Sequence, residues 1–457
     1  MNHREWGAER NTVLRLYHSI TRSKIDYGSG IYGSALPSLL ESLEVVHRQA
    51  IRLCTGAFRS SPKESVLIEA NEPPLRIRRI QLMLTYQSRL LILPQHITYP
   101  CLAEEQKYPI SFSKPRSSRP IGLRAHLDLK DVAPSLPPPL IPPPPLHPPW
   151  CPPNLTVHDD LHAMGKKSTL LPPLIHQVVN KLLSRYPEPP YTRYYTDGSK
   201  TNQGVGAAFA LGRDTFLFPL HNLCSVFTAE LYAILQCLNH SRETNTTHPV
   251  ILTDSLSAVK AISSAFTPSN EIIQTIVNSI HSFPHVVLIW LPSHTSIKGN
   301  ERADQAARDA AELPTPSLPV LPLQDRKNFI KKSLTNRWQR EWSTCHAQKL
   351  HQIKPLVGAW TTSSNPSRRA EVALTRLRIG HTNLTHRHLM CREPPPPCVI
   401  CASPLTVAHI LTHCPQYQAA RVQHNLPPTL TDILRDDPAT TTQLLHFLSS
   451  THLLPNI

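Results

Sequence analysis

The sequence has no long apolar segment, and its longest strongly apolar run covers only residues 286–291. A membrane-spanning helix requires roughly 20 such residues, so we expect no transmembrane segment and no membrane partner. The first ten residues include Arg4, Glu5, Glu9 and Arg10 without an apolar core, which does not fit a secretory signal peptide. These absences favour an intracellular protein of the nucleus or the cytoplasm.

Cysteine and glycine are scarce, with 10 Cys and 14 Gly among 457 residues, whereas the chain holds 47 Pro. Cysteines this sparse exclude a disulfide scaffold and are typical of a reducing compartment. Three of them, Cys398, Cys401 and Cys414, cluster late in the chain. The length itself predicts two to four structural units with enough residues for a sizeable core.

Acidic residues are outnumbered, because 47 Lys+Arg face 32 Asp+Glu and the formal net charge is +15. The basic excess lies in residues 1–190 and 326–457, while residues 191–312 hold slightly more acidic than basic side chains. Basic flanks favour attraction to a polyanion, and an acidic centre favours a site that holds cations. Ordinary solvated surface charge is the alternative explanation of this pattern.

Proline divides the chain, because twelve of the twenty residues from Pro134 to Pro153 are Pro. Such a stretch predicts a stiff, extended linker without a packed fold. A shorter Pro-spaced stretch at residues 313–323 predicts a second linker. The predicted segments are a helical segment (1–100), a Pro-rich linker (101–190), a central domain (191–312), a second linker (313–325) and a basic segment (326–457).

Apolar spacing predicts the local structure of two of these segments. Apolar residues three and four apart predict N-terminal helices at residues 11–20, 39–53 and 75–93. In the central domain, period-two patterns and short apolar runs predict strands at 193–196, 205–211, 215–220, 250–253 and 286–291. Helices are predicted there at 226–238, 255–264, 270–282 and 300–311. Three successive strands followed by alternating helix and strand predict a mixed five-stranded α/β sheet with flanking helices.

Four acidic residues stand at the ends of the predicted elements: Asp197, Glu230, Asp254 and Asp304. Each alone has a structural explanation, respectively a turn residue before Gly, a solvated helical Glu, a helix N-cap and an exposed helical Asp. Four independent structural explanations in one small domain are less probable than one shared function for the four acids. Hard cations such as Mg²⁺ take oxygen ligands, and paired ions stabilise the attacking and leaving oxygens of a phosphodiester displacement.

The sequence around these acids resembles type 1 ribonuclease H in the order and spacing of four signatures. They are residues 196–199 (Thr-Asp-Gly-Ser), 228–230 (Thr-Ala-Glu), 252–255 (Leu-Thr-Asp-Ser) and 294–304 (from His to Asp). The resemblance implies a metal-dependent endonuclease that cuts the RNA strand of an RNA–DNA hybrid, leaving 5′-phosphate and 3′-hydroxyl ends. We expect it to recognise the RNA 2′-hydroxyl and phosphates rather than a base sequence.

The resemblance also implies a role for each site residue. Asp197 would contact both of two Mg²⁺ ions, for which Mn²⁺ could substitute, and Asp304 would help hold the ion that activates water. Glu230 and Asp254 would hold the other ion. His294 would assist proton transfer or product release, although a lone histidine here also fits a plain surface loop.

A second candidate metal site follows the pattern Cys-x2-Cys-x7-His-x4-Cys, formed by Cys398, Cys401, His409 and Cys414. Thiolate and imidazole ligands at this spacing suit tetrahedral Zn²⁺. So short a segment cannot build a core, so metal binding would supply its folding energy. His413 is an alternative ligand to His409, and unpaired reduced thiols are the alternative to a metal site.

Residues 374–381 (Leu-Thr-Arg-Leu-Arg-Ile-Gly-His) and Arg387 form a basic stripe that suits either phosphate binding or a solvated helix face. With the Cys/His pattern, this stretch resembles the C-terminal end of the second open reading frame of Jockey- and I-type non-LTR retrotransposons. Residues 23–29, 51–59 and 69–75 resemble the stretch that follows the reverse transcriptase palm in those polyproteins. The resemblance implies the trailing part of a longer element, with its upstream reverse transcriptase as a candidate partner.

Polymerase chemistry requires an aspartate pair in a hydrophobic hairpin, and the adjacent aspartates at 159–160 and 436–437 lie in other contexts. We therefore expect no DNA synthesis by this chain alone. The leading hypothesis is an RNA–DNA hybrid ribonuclease whose basic flanks bind nucleic acid. The alternatives are a catalytically inactive nucleic-acid-binding relic and a reverse transcriptase subunit that needs a palm from another chain.

Overall fold

The structure is a computed structural model that describes residues 7–103, 119–148, 150–163, 172–264, 270–293, 297–365 and 367–457. The chain forms two compact units. The described residues within 1–84, 119–132 and 331–457 form a helical unit, and those within 85–103 and 133–330 form a sheet unit. In these described ranges, no helix combines the length and the apolar character needed to cross a bilayer.

The strands, in chain order, are β1 (Leu155–His158), β2 (Tyr191–Lys200), β3 (Val205–Leu211), β4 (Asp214–Leu220), β5 (His248–Thr253) and β6 (Val286–Trp290). The helices up to the last strand are α1 (Arg10–Leu16), α2 (Ser23–Asp26), α3 (Ser29–Tyr32), α4 (Pro37–Thr55), α5 (Lys63–Ala70), α6 (Leu75–Leu91), α7 (Tyr99–Ala103), α8 (Ile121–Val132), α9 (Asp160–Ala163), α10 (Pro172–Leu183), α11 (Val226–Glu243), α12 (Leu256–Ser263) and α13 (Glu271–Ile280). The later helices are α14 (Lys298–Ala311), α15 (Leu323–Ser343), α16 (Lys349–Ile353), α17 (Arg368–Ile379), α18 (Asn383–His386), α19 (His388–Cys391), α20 (Gln418–Gln423), α21 (Leu430–Leu434) and α22 (Pro438–Ser450). Short π-helical turns lie at Tyr17–Arg22 and His409–His413, and 3₁₀ turns lie at Pro415–Tyr417 and Leu454–Asn456.

The sheet unit contains one mixed sheet with the strand order β1-β6-β5-β2-β3-β4. The first four strands in this order are parallel, whereas β2, β3 and β4 form an antiparallel meander. The predicted mixed α/β sheet with flanking helices is therefore confirmed, with six strands instead of five. The sixth strand, β1, lies within residues 101–190. Its four residues directly after a proline run are too few to give a clear period-two signal.

Successive strand residues point to opposite faces of the sheet. Both sets are apolar in β5 and β6, so helices cover both faces. On one face, β5 and β6 pack with α10, and the buried members of this cluster include Val250, Leu252, Val287, Ile289, Ile175 and Val179. On the other face they pack with α11 and α13 through residues that include Ile251, Leu288, Leu231, Ile234, Ile272 and Ile276. Helix α10 also falls within residues 101–190, so part of that segment completes the sheet's core.

Helix α14 packs against the meander at very short range. A Cβ atom on Gly206 of β3 would collide with the carbonyl oxygen of Ala307, and Ala306 and Ala307 are buried against Ala208. Glycine and alanine at this contact let the helix backbone approach the strand backbone. This packing fixes the position of α14, which carries Asp304.

The described Pro-rich residues hydrogen-bond within the sheet unit. Leu140 N donates to Leu321 O at 3.0 Å, and Leu321 N donates to Pro138 O at 2.9 Å. Leu321 is fully buried. A proline lacks the N–H group but keeps its carbonyl acceptor, so an extended proline run can still pair along one edge. Residues of both predicted linkers therefore lie against each other in this unit.

The helical unit joins the two ends of the described chain. Buried Glu69 accepts a hydrogen bond from Arg10 Nη1 at 3.2 Å and another from Trp360 Nε1 at 2.7 Å. The predicted N-terminal helices at residues 11–20, 39–53 and 75–93 correspond to α1, α4 and α6. The N-terminal segment and the basic C-terminal segment thus share one core.

Candidate active site and metal centres

Two of the four acids are placed side by side by strand register. In the parallel pair β2–β5, Thr196 lies opposite Thr253. Asp197 is the residue after Thr196, and Asp254 is the residue after Thr253. Adjacent strands lie about 4.8 Å apart, so these two carboxylates start from neighbouring positions. Asp197 is buried, and Asp254 is half-buried.

The third acid, Glu230, lies one turn into α11. The helix begins after Ser225, whose side chain accepts a hydrogen bond from Thr228 N. A Cβ atom on Gly198 would lie 2.5 Å from Glu230 N, so only glycine permits this approach of α11 to β2. The Asp-Gly pair of β2 therefore supplies an acid and also the space that brings Glu230 next to it.

Asp254 does not cap the helix that follows it. The N-cap of α12 is Ser255, whose side chain accepts from Ala258 N. The indole N–H of Trp290 donates to the backbone oxygen of Asp254 at 3.0 Å. The N-cap explanation of Asp254 is therefore wrong, because its neighbour supplies the capping oxygen.

Asp197, Glu230 and Asp254 each offer a carboxylate oxygen, and these oxygens lie within 4.8 Å of one another. Burial and, to a smaller extent, the nearby Asp254 and Asp304 carboxylates together raise the pKa of Asp197 to about 7. Burial also raises the pKa of Glu230 well above its usual value, with the Asp197 and Asp254 charges adding to the effect. Three carboxylates this close repel one another when ionised.

These residues fit a divalent cation. Glu230 Oε2 is buried and has no hydrogen-bond partner among the described residues. A buried carboxylate oxygen without a donor is costly unless a cation contacts it. Carboxylate oxygens are the ligands that Mg²⁺ and Mn²⁺ prefer, so the donor set suits a hard cation.

Asp304 is not part of this close group. Its carboxylate lies on α14 and forms an ion pair with Arg308 Nη2 at 2.7 Å, one helical turn along. It is still near enough to contribute to the raised pKa of Asp197. The structure thus brings three predicted acids together and places the fourth beside them, paired with an arginine. His294 lies outside the described residues.

The predicted Cys/His cluster is also brought together. The ligand atoms of Cys398, Cys401, His409 and Cys414 all lie within 4.8 Å of one another. The Sγ atom of Cys414 is 3.8 Å from Cys398 Sγ and 4.0 Å from Cys401 Sγ. A tetrahedral Zn²⁺ with Zn–S bonds of about 2.3 Å places its sulfur ligands roughly 3.8 Å apart, so the spacing fits zinc.

His409 rather than His413 belongs to this cluster. The Nε2 atom of His409 is buried without a hydrogen-bond partner among the described residues, while its Nδ1 lies 3.4 Å from Ser403 Oγ. A ring with one occupied and one open nitrogen is the usual arrangement of a zinc-bound histidine. The His413 ring instead contacts Thr412 Oγ1 at 2.6 Å. Arg421 Nη2 donates to Cys414 O at 2.7 Å and so braces the last ligand.

The predicted basic stripe is only partly accessible. Arg378 is fully buried, with Nε donating to Leu434 O at 3.2 Å and the guanidinium stacked 3.9 Å from the Trp360 ring centroid. Neither a phosphate-binding stripe nor a solvated face therefore includes Arg378. Arg376 is half-buried, and Arg387 is exposed.

With this geometry in place, comparison with known families shows that the RNase H family model matches residues 189–312. The range contains the sheet from β2 to β6 and all four predicted acids. The match supports an RNase H-like fold and a nuclease function on RNA–DNA hybrids for this part of the chain. RNase H domains generally use divalent metal ions, in agreement with the carboxylate group described above.

One residue that positions the site lies beyond the family match and had no sequence signal. The buried carboxylate of Asp325 accepts hydrogen bonds from Ser225 N at 3.1 Å and from Thr228 Oγ1 at 2.6 Å. It therefore fixes the first turn of the helix that carries Glu230. The Asp304–Arg308 pair was readable in principle, since opposite charges four residues apart face each other on a helix.

Proposed function

We propose that this chain hydrolyses the RNA strand of RNA–DNA hybrids as a metal-dependent endonuclease of the type 1 ribonuclease H kind. The observation that carries the proposal is the convergence of Asp197, Glu230 and Asp254 within 4.8 Å, inside the range that matches the RNase H family. The products would carry 5′-phosphate and 3′-hydroxyl ends.

In this proposal the acids hold two Mg²⁺ ions, with Mn²⁺ as a substitute. Bound there, the ions would stabilise the attacking and leaving oxygens of the phosphodiester displacement. Asp197 and Glu230 would supply buried oxygens, and Asp254 would supply a half-buried oxygen. Asp304 would join them by giving up its ion pair with Arg308 and contacting a metal ion instead. His294 would transfer a proton or assist product release.

The protein's own contribution is rigid placement of these oxygens. Strand register fixes Asp197 beside Asp254, and the glycine contact at residue 198 fixes Glu230. A site held by sheet and helix packing loses little free energy to reorganisation when the substrate binds. Specificity for the RNA strand would come from contacts to the 2′-hydroxyl group.

We further propose that the Cys398–Cys401–His409–Cys414 cluster binds one Zn²⁺ and that the basic flanks contact nucleic-acid backbone. The sulfur spacing supports the zinc site, and the net charge of +15 supports the polyanion contact. The sequence resemblance supports an origin in a non-LTR retrotransposon, where an upstream reverse transcriptase would supply the hybrid. A catalytically inactive nucleic-acid-binding relic is the alternative, because basic flanks and a zinc site would suffice for it.

The test compares wild type with Asp254→Asn on a 5′-labelled RNA strand annealed to DNA, with Mg²⁺. The matched control is Asp309→Asn, which removes one carboxylate from the exposed side of α14. Wild type and Asp309→Asn should cut the RNA strand and leave the DNA strand and an RNA–RNA duplex intact. Cutting by Asp254→Asn at the wild-type rate would exclude the proposed site, and hybrid binding without cutting by zinc-loaded wild type in Mg²⁺ or Mn²⁺ would favour the relic.

A further inference from the structure

Two sequence motifs not used by the proposed active site come together in the helical unit. The C-terminal end of α4 and the loop after it carry Arg52 and Arg59, within residues 51–59. Helix α17 carries Arg368 and Arg376. All four arginines line one cavity of about 420 Å³.

A glycine contact fixes this arrangement. Gly56 ends α4 with a φ of +70°, and a Cβ atom there would collide with the side chain of Val372 on α17. Residues 368, 372 and 376 are spaced by four and therefore share one face of the helix. Because Val372 sits on Gly56, Arg368 and Arg376 lie on either side of the contact and face the end of α4.

The side chains that line the cavity favour binding of an anion. Among the described residues, the lining contains four arginines and no Asp or Glu. Arg376 donates from Nε to Gly56 O at 2.9 Å and from Nη1 to Ile457 O at 2.8 Å. Arg368 is only 5% exposed, its Nη1 pairs with Glu371 at 3.2 Å, and its Nε is buried without a hydrogen-bond partner. Arg52 donates one N–H to Ser61 O at 3.0 Å, while its own Nε is likewise buried and unpartnered.

The rim of the cavity adds accessible charge and apolar surface. Arg59 is exposed and has no hydrogen-bond or ion-pair partner in the described part of the chain. Leu53 is 71% exposed and Met390 is 42% exposed, and both line the cavity. Guanidinium groups bind phosphate through forked hydrogen bonds, and apolar side chains suit contact with a sugar or base.

We propose that this arginine-lined cavity binds a backbone phosphate of single-stranded nucleic acid, with the adjoining sugar and base against Leu53 and Met390. A single strand can turn one phosphate into a concave site, whereas a duplex holds its phosphates on a convex surface. Positively charged grooves that follow the backbone are common to single-strand-binding surfaces. The inference goes beyond the proposed ribonuclease activity and does not depend on it.

The test measures binding of a fluorescein-labelled 12-nucleotide single-stranded DNA to the full chain by anisotropy, without added Mg²⁺, from 0.05 to 0.3 M salt. Arg59→Ala should weaken binding about fivefold at 0.1 M salt and lower the salt-dependence slope by about 0.7, the value for one lost phosphate contact. Arg52→Ala should act in the same direction. The matched control, Arg15→Ala, removes an exposed arginine of α1 that does not line the cavity and should change affinity less than twofold.

Several outcomes would overturn the inference. Equal weakening by Arg59→Ala and Arg15→Ala would show only general charge attraction. Tighter binding of a DNA duplex than of the single strand, with Arg59→Ala affecting the duplex alone, would contradict the assigned ligand. Competition by deoxynucleoside monophosphate at the same concentration as strand phosphate would indicate a nucleotide site instead. Asp254→Asn should bind the single strand like wild type, which separates this site from the proposed ribonuclease centre.

Discussion

Gly198 and Glu230 are packed so closely that a Cβ atom at residue 198 would lie 2.5 Å from the backbone nitrogen of residue 230. This contact joins the strand that carries Asp197 to the helix that carries Glu230. The separation of the two acids in the proposed metal site therefore depends on a residue that has no side chain.

The first prediction follows from this contact. Gly198→Ala should push α11 away from β2, destabilise the protein by about 1–3 kcal/mol, and lower hybrid cleavage by roughly 100-fold. The control Gly358→Ala places a Cβ atom where nothing lies within 4 Å, so it should leave both the stability and the cleavage rate unchanged. Urea denaturation and cleavage rates measure the two effects, and full activity in Gly198→Ala would contradict the assigned role of the contact.

The second prediction concerns pH and Asp197. Because the folded-state pKa of about 7 exceeds the ordinary value of 3.8, the folded protein without bound Mg²⁺ holds more protons than the unfolded chain between these pH values. Its stability should therefore fall as pH rises through this window. Asp197→Asn removes the effect and should stabilise the protein relative to wild type increasingly from pH 4 to pH 7, levelling off above pH 7, by at most roughly 4 kcal/mol.

Thermal denaturation of zinc-loaded protein without added Mg²⁺ measures this difference. The comparison of variant with wild type at each pH cancels the titration of groups elsewhere in the chain. Added Mg²⁺ should stabilise wild type more at pH 8 than at pH 5, because cation binding requires ionised carboxylates. A stability difference between variant and wild type that does not change with pH would contradict the raised pKa.

The third prediction concerns Asp325, which lies outside the range that matches the RNase H family. Asp325→Asn weakens the buried acceptor of Ser225 N and Thr228 Oγ1, so it should cost about 1–3 kcal/mol and slow hybrid cleavage. The neighbouring control Gln324→Ala removes an exposed side chain that bonds only Asn328 in the described chain and should be neutral. An unchanged unfolding midpoint for Asp325→Asn would contradict this role.

Much of the fold and the site was readable from the sequence, for reasons that these residues illustrate. Val205–Leu211 was predicted with its observed bounds because a buried strand flanked by glycines has a strong pattern. Asp197 and Asp254 were predicted to share a metal site because both stand at the ends of predicted strands, although β2 continues to Lys200 and Asp197 lies within it. The pairing and register of β2 and β5 were not predicted, because they depend on which strands become neighbours in the sheet.

Other features depend on contacts that no local pattern encodes. Strand β1 exists because β6 offers it an edge, and Leu321 is buried because a proline-rich backbone pairs with it. Arg378 has the sequence context of a surface arginine, yet Trp360 and backbone carbonyls hold it inside the helical unit. Such placements are set by the tertiary partner, which lies far away in sequence.

The fourth prediction separates two histidines near the cysteine cluster. His409→Ala should lower the zinc content of purified protein from one ion per chain to below about half, because it removes one of four ligands. His413→Ala should keep the full content, since its ring contacts Thr412 outside the cluster. Atomic absorption measures both, and loss of zinc in His413→Ala with retention in His409→Ala would reverse the assignment.

The most direct measurement of the central claim is a Mn²⁺ titration of zinc-loaded protein at pH 8, followed by the electron paramagnetic resonance signal of free Mn²⁺. Wild type should bind at least one Mn²⁺ per chain, and Mg²⁺ should displace it. Asp197→Asn should lose this binding, while Asp309→Asn should keep it. No binding by folded wild type, or equal binding by wild type and Asp197→Asn, would contradict a cation site formed by Asp197, Glu230 and Asp254.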